Sequence, residues 1–187
     1  MTGVPGLLRS DGDPAVLARA VLNLRRNGGV LALAAPQEES WLRCVLPDAW
    51  PAALAALEPA LVLGTGGSSG ARRWCVQPLD HLQVSVEGCG QWLQGIGVDP
   101  ARCQLFNPLP LHHISGLMPL LRSASWGSEH RGLPPALLRE PARLRAEAMP
   151  AADRPALLSL VPTQLQRLLA DADGRRWLEA FALIWVG

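Results

Sequence analysis

The sequence predicts an α/β protein with mainly parallel strand pairing and helices flanking the sheet. Two patterns point there. Short, almost wholly apolar runs (Val30 to Ala34, Leu61 to Leu63, Leu157 to Val161, Ala182 to Val186) recur along the chain. Segments with apolar residues at helical spacing separate them, the alternation that buries a parallel sheet on both faces. Composition agrees: 187 residues with 49% hydrophobic and 18% charged content suffice for a real core and do not fit disorder.

Each element follows in order. Asp13-Pro14 opens a helix as N-cap and first-turn proline, and Gly28-Gly29 closes it. Val16, Leu17, Ala20, Val21 and Leu24 share one face of that helix. The run from Val30 to Ala34 is a buried strand, Asp48 to Leu57 a short helix, and Leu61-Val62-Leu63 a second buried strand. Asp80 caps a longer helix that reaches about Leu93 and ends at Gly95 and Gly97. Gln104-Leu105-Phe106 is a short strand, followed by a helix from near Ser115 to about Arg122. From Ser125 to Arg154 the chain is rich in Pro, Arg and Glu, which predicts loops and one short helix. A strand over Leu157 to Val161, a helix begun by Pro162 and a last strand over Ala182 to Val186 complete the pattern. The final strand arrives with nothing after it to cover it, so the chain reads as lacking the rest of its domain.

The chemistry concentrates after the second strand. Thr65-Gly66-Gly67-Ser68-Ser69-Gly70-Ala71-Arg72-Arg73 packs three glycines, three hydroxyls and two arginines into nine residues. Glycines let successive N–H groups converge into an anion-binding nest, hydroxyls add short donors, and arginine matches phosphate oxygens with a planar fork. This is a phosphate cradle by composition and placement.

Other classes are excluded or disfavoured. A net charge of +1 gives no bulk electrostatic support for nucleic-acid or membrane-surface binding. All seventeen basic residues are arginine, so the chain supplies neither a Schiff base nor a Walker-type lysine. The alanine, arginine, glycine and proline content itself is what a GC-rich genome produces. Cys44, Cys75, Cys89 and Cys103 lack metal-ligand spacing and suit reduced, partly buried thiols. No metal ligand set is expected. Neither a secretory signal nor an apolar run of transmembrane length is visible, which makes the cytoplasm the expected compartment.

The glycine-rich string resembles the phosphate loop of the adenylate-forming (AMP-binding) superfamily, which includes the acyl-CoA synthetases and runs Thr-Ser-Gly-Thr-Thr-Gly-x-Pro-Lys. Thr65, Gly67 and Gly70 are identical, Ser68 and Ser69 keep the hydroxyls, and Arg73 keeps the terminal charge. Gly66 replaces a serine and Arg72 a proline. Leu109-Pro110-Leu111-His112-His113-Ile114-Ser115-Gly116 resembles the second signature, Leu-Pro-Leu-Phe-His-x-x-Gly, with His112 in place of the aromatic. Val161-Pro162-Thr163 and the closing strand to Gly187 resemble two further segments in family order. The likeness covers about residues 55 to 187, and the wording around Pro108 to Leu121 is most like bacterial o-succinylbenzoate–CoA ligases of menaquinone or phylloquinone synthesis.

The resemblance implies a fold, a reaction and a site. Residues 1–187 would form a single incomplete N-terminal AMP-binding domain, with the C-terminal domain and its catalytic lysine absent. The reaction would join a small-molecule carboxylic acid to the α-phosphorus of ATP, then pass the acyl group to CoA, with Mg2+ accompanying ATP. Thr65, Ser68, Ser69 and the amides of Gly66, Gly67 and Gly70 would hold phosphates, and Arg73 would offset charge as pyrophosphate leaves. His113, Ser115 and Gly116 would shape the acyl pocket. The family's adenine motif, Tyr-Gly-x-Thr-Glu, has no counterpart in a chain without tyrosine. The piece alone is expected to bind nucleotide weakly and not turn over.

Two rival readings stay open on sequence. Gly66-Gly67-Ser68-Ser69-Gly70 also satisfies the Gly-x-Ser-x-Gly elbow of an α/β-hydrolase, with Ser68 as nucleophile and Asp99 and His113 or His130 downstream. The other is a non-catalytic truncated module that binds a partner through tryptophans such as Trp41, Trp50 or Trp126.

Overall fold

The computed structural model describes residues 6–9, 13–40, 42, 57–65 and 73–187. The expected helix from Asp48 lies outside the described residues apart from Leu57, as does the loop 66–72. The chain forms two compact units, one of residues 1–87 and 110–114, the other of 88–109 and 115–187.

The first unit carries strands β1 (Gly6–Arg9), β2 (Val30–Ala34), β3 (Ala60–Thr65) and β4 (Arg73–Pro78) in the spatial order β1-β2-β3-β4. β1, β2 and β3 run parallel, and β4 returns antiparallel to β3. Helix α1 (Pro14–Asn27) joins β1 to β2. Its N-cap Asp13 accepts the Ala15 amide at 2.8 Å, and Gly28 closes it with φ at 74°, a conformation that favours glycine. Leu17 and Val21 of the expected apolar face are buried, whereas Val16 points to solvent. Ala32, Val62 and Val76 stand in register across three strands, and Ala32 and Val62 pack with Ala34 and Leu42 into this unit's core.

β1 and β4 are additions to the sequence reading. β4 escapes a search for apolar runs because an edge strand covered on one face alternates, and Arg73-Trp74-Cys75-Val76 does so. Helix α2 (Leu79–Gly95) starts two residues earlier than an Asp80 cap would set it, so Asp80 sits within its first turn instead of capping it. A carboxylate there still favours the helix through the exposed N–H groups.

The second unit holds an all-parallel sheet in the order β6-β5-β7-β8, built from β5 (Gln104–Asn107), β6 (Glu129–Gly132), β7 (Ala156–Leu160) and β8 (Leu183–Val186). Helices α3 (Ile114–Trp126), α4 (Pro141–Glu147), α5 (Pro162–Ala170) and α6 (Ala172–Leu178) supply the crossovers. Register explains why β5 and β7 are buried throughout. Leu105, Leu157 and Leu183 align on one face and pack with Leu93 and Cys103; Phe106, Leu158 and Ile184 align on the other with Leu144, Leu168 and Trp177.

Trp177 anchors that second face. Its ring meets Phe106 and Phe181 edge-on at 6.5 and 4.6 Å, and its Nε1 donates to Ala148 O at 2.8 Å. β6 was expected as loop, because Glu129-His130-Arg131-Gly132 has no strand-like composition. Parallel pairing with β5 makes it a strand. The helix expected from Pro162 over Gln164 to Leu169 is α5; α6, which follows the turn at Asp171, is a further addition to the sequence reading. No helix of the described residues is long and apolar enough to cross a membrane.

Candidate functional site

Parallel strands send their carboxyl ends to one edge, where open α/β sheets bind ligands. In the first unit β3 delivers Thr65 to that edge. Ala60 to Gly64 are buried and Thr65 emerges. Arg73 faces Thr65 across the hairpin ladder, and the Thr65 hydroxyl donates to the Arg73 carbonyl at 3.1 Å. The Arg73 residue is exposed. The structure therefore brings the two ends of the glycine-rich segment side by side. Gly66, Gly67, Ser68, Ser69 and Gly70 lie outside the described residues.

The β3–β4 pairing argues against the hydrolase reading. A nucleophile elbow needs a strand that turns at once into a helix. Here β3 pairs with an antiparallel strand, and among the described residues the next helix is α2, after Pro78. The intended acid is occupied as well, since Asp99 accepts the Ala101 amide at 3.0 Å as the cap of a 3-10 turn.

The second signature follows β5. The His113 amide donates to Pro110 O at 3.1 Å, and the rings of His112 and His113 lie tilted with centroids 4.3 Å apart. Both residues are partly buried. Ser115 is exposed in the first turn of α3, and Gly116 is buried.

Two further residues meet at the carboxyl end of β5: Asn107, which sequence reasoning did not assign, and His130, which it named only as a possible hydrolase histidine. Asn107, 3% exposed at the carboxyl end of β5, donates from Nδ2 to Gly116 O at 2.8 Å and accepts the Leu109 amide on Oδ1 at 3.1 Å. His130 Nε2 on β6 lies 3.2 Å from the same Nδ2. Burial pushes the His130 imidazole below its ordinary range, favouring the neutral ring. The only sequence signal for Asn107 is the Asn-Pro step that ends a strand. For His130 the sequence offered only its place downstream of Ser68 and Asp99 in the hydrolase reading, not a contact with Asn107. Beyond His130 opens a cleft of about 530 Å³ bounded by β6 and the segment up to Ala148.

Cys89 and Cys103 are held as thiols. Burial raises Cys89, and burial followed by Asp99 and Cys89 raises Cys103 to about 11, so both stay protonated near neutrality. Cys75, expected to be partly buried, is exposed. Among the described residues no group of three or more histidine, cysteine or acidic side chains could hold a metal ion. Trp126 packs against the Leu93, Cys103, Leu105 and Leu157 cluster, so it is not the exposed partner surface considered above; Trp41 and Trp50 lie outside the described residues.

No protein-family model matches the sequence, and no curated protein matches it. Solved structures do. A malonyl-CoA ligase, in a ternary product complex with methylmalonyl-CoA and AMP, matches with a TM-score of 0.68 at 20% identity over 99% of this chain and 46% of its own. The N-terminal domain of FACL13 from Mycobacterium tuberculosis, with an inhibitor bound, gives 0.61 at 16% identity, covering 99% and 57%. O-succinylbenzoate Coenzyme A Synthetase (MenE) from Bacillus subtilis, in complex with AMP, gives 0.59 at 15% identity, covering 98% and 54%. The chain spans about half the length of these structures. Its architecture, parallel strands flanked by helices and matched over nearly every residue, is that of part of an adenylate-forming enzyme domain.

Proposed function

We propose that this chain is the N-terminal part of an AMP-forming acyl-CoA ligase, carrying the phosphate loop and part of the acyl pocket. The observation that supports this most is the pairing of Thr65 with Arg73 at the carboxyl edge of β1, β2 and β3. It sits in a chain that superposes over 99% of its length on a ligase of this type.

The reaction brings a carboxylate against the α-phosphorus of ATP and releases pyrophosphate; the CoA thiol then displaces AMP from the acyl-adenylate. Two anions must approach, so the barrier is largely electrostatic and donors fixed beforehand lower it. Thr65 would anchor one end of the loop while Ser68, Ser69 and the amides of Gly66, Gly67 and Gly70 hold the β- and γ-phosphates. Arg73 would balance the charge of departing pyrophosphate, and Mg2+ would arrive with ATP. His113, Ser115 and Gly116 would line the acyl pocket. Within this reading the carboxylic acid is o-succinylbenzoate, for menaquinone or phylloquinone synthesis, and the compartment is the cytoplasm. Residues 1–187 are one incomplete domain, completed by a lysine-bearing C-terminal part.

Calorimetric titration of the chain with ATP and Mg2+ tests the first half. Weak binding is expected, and Arg73→Ala should weaken it by roughly tenfold, the loss of one charge-assisted contact. Equal affinity in the variant would remove Arg73 from the site. Pyrophosphate exchange across a panel of carboxylic acids, in the enzyme joined to its C-terminal part, tests the acyl assignment; indifference to o-succinylbenzoate would reject it.

A further inference from the structure

The segment 110–115 carries His112, His113 and Ser115, and one buried amide grips the chain on either side of it. Asn107 Oδ1 takes the amide of Leu109 just before the segment, and Asn107 Nδ2 gives a hydrogen bond to Gly116 O just after. The far end needs such help. Pro119 lies inside α3 and has no N–H, so Ser115 O cannot receive the bond that a helix would normally supply there. The first turn of α3 is thus held partly from outside, through the carbonyl next to the one that proline leaves without its usual donor.

A primary amide can turn over and exchange its two ends, which would set an acceptor against Gly116 O. The two backbone bonds oppose that. The bonds to Leu109 and Gly116 fix Nδ2 as the end facing His130, and an –NH2 group can only donate. Nε2 of His130 must therefore be the bare nitrogen, with the proton on Nδ1. A ring protonated at Nε2 would put two donors head to head.

We propose that Asn107 and His130 are a positioning couple at the carboxyl end of the β5–β6 pair, Asn107 tying the Leu109 amide to the start of α3 and His130 Nε2 accepting the remaining amide proton. That segment 110–115 lines an acyl pocket rests on the function proposed above; the couple itself does not.

Two measurements on the intact chain decide it. The ring-nitrogen spectrum of 15N-labelled wild type at neutral pH should show His130 protonated at Nδ1; a proton on Nε2 would overturn the couple without any variant. Hydrogen exchange should then rise roughly fivefold or more at the Leu109 amide and through the first turn of α3 in His130→Leu, the size of one lost hydrogen bond. β7 should stay unchanged. His130→Gln, which can place an acceptor near Nε2, should restore protection. Unchanged exchange in His130→Leu, or equal loss in both variants, would reject the proposal. Failure of wild type to bind ATP and Mg2+ would sink the ligase reading alone, since neither measurement involves nucleotide.

Discussion

The two sheets solve the same burial problem differently. In the second unit β5 and β7 are covered on both faces and all four strands are parallel. In the first, β4 turns back antiparallel along β3 and leaves alternate residues, Arg73 and Cys75, exposed. The all-parallel sheet needs a helix between successive strands and hides its backbone; the hairpin needs only a loop, and that loop is the glycine-rich one. One sheet buries its central strands throughout, and the other ends in an alternating edge strand whose first residue, Arg73, is exposed.

Removing the second unit's aromatic anchor should break this contrast most strongly. Trp177→Ala deletes a fully buried ring and strands the Ala148 carbonyl, a loss of about 3–5 kcal/mol. Urea unfolding followed by hydrogen exchange should show β5 and β7 losing protection before β2 and β3. Simultaneous loss in both sheets would mean that the units do not unfold separately.

Overpacking comes next. A Cβ on Gly174 would lie 2.3 Å from Leu168 O, and a backbone oxygen cannot move aside alone. Gly174→Ala should cost about 1–3 kcal/mol and lower the urea midpoint, whereas alanine at Gly88, where nothing lies within 4 Å, should not lower it.

In the first unit the matching lesion is smaller. Asp13→Ala removes the cap of α1 and should cost about 1 kcal/mol, visible as faster exchange in the first turn of that helix. An unaltered rate would show that solvent satisfies the Ala15 amide equally well.

The smallest effect is with pH. Because burial holds the folded His130 below its ordinary range, the unfolded chain binds a proton first as acid is added. The stability contributed by neutral His130 is complete above about pH 6.5, its ordinary titration, and is lost as pH falls through the lowered folded value. Urea midpoints should therefore fall more for wild type than for His130→Gln between about pH 7 and 5.

Much of this could be read from the chain because its signals are local. Asp13, Pro14 and Gly28 mark α1 within the chain itself, and apolar runs mark the largely buried β2, β3 and β7 and the partly buried β8. β4 and β6 could not be read that way. Trp74 and Val76 become strand residues only by pairing with β3, and Glu129 to Gly132 only by lying beside β5. The candidate site divides along the same line. Thr65 and Arg73 stand at the ends of a recognisable string, but the Asn107 and His130 contact spans twenty-three residues and depends on the β5–β6 register.

Asp171 ends α5 and starts α6, its carboxylate accepting the amides of Asp173 and Gly174 at 2.8 and 3.0 Å. With one residue serving as both stop and start, the corner has no slack. A single inserted residue would rotate Trp177 about 100° around its helix axis, away from Phe106 and Phe181. This bend works as a ruler for the aromatic cluster, and length changes there should be far less tolerated than in the stretch between β6 and α4.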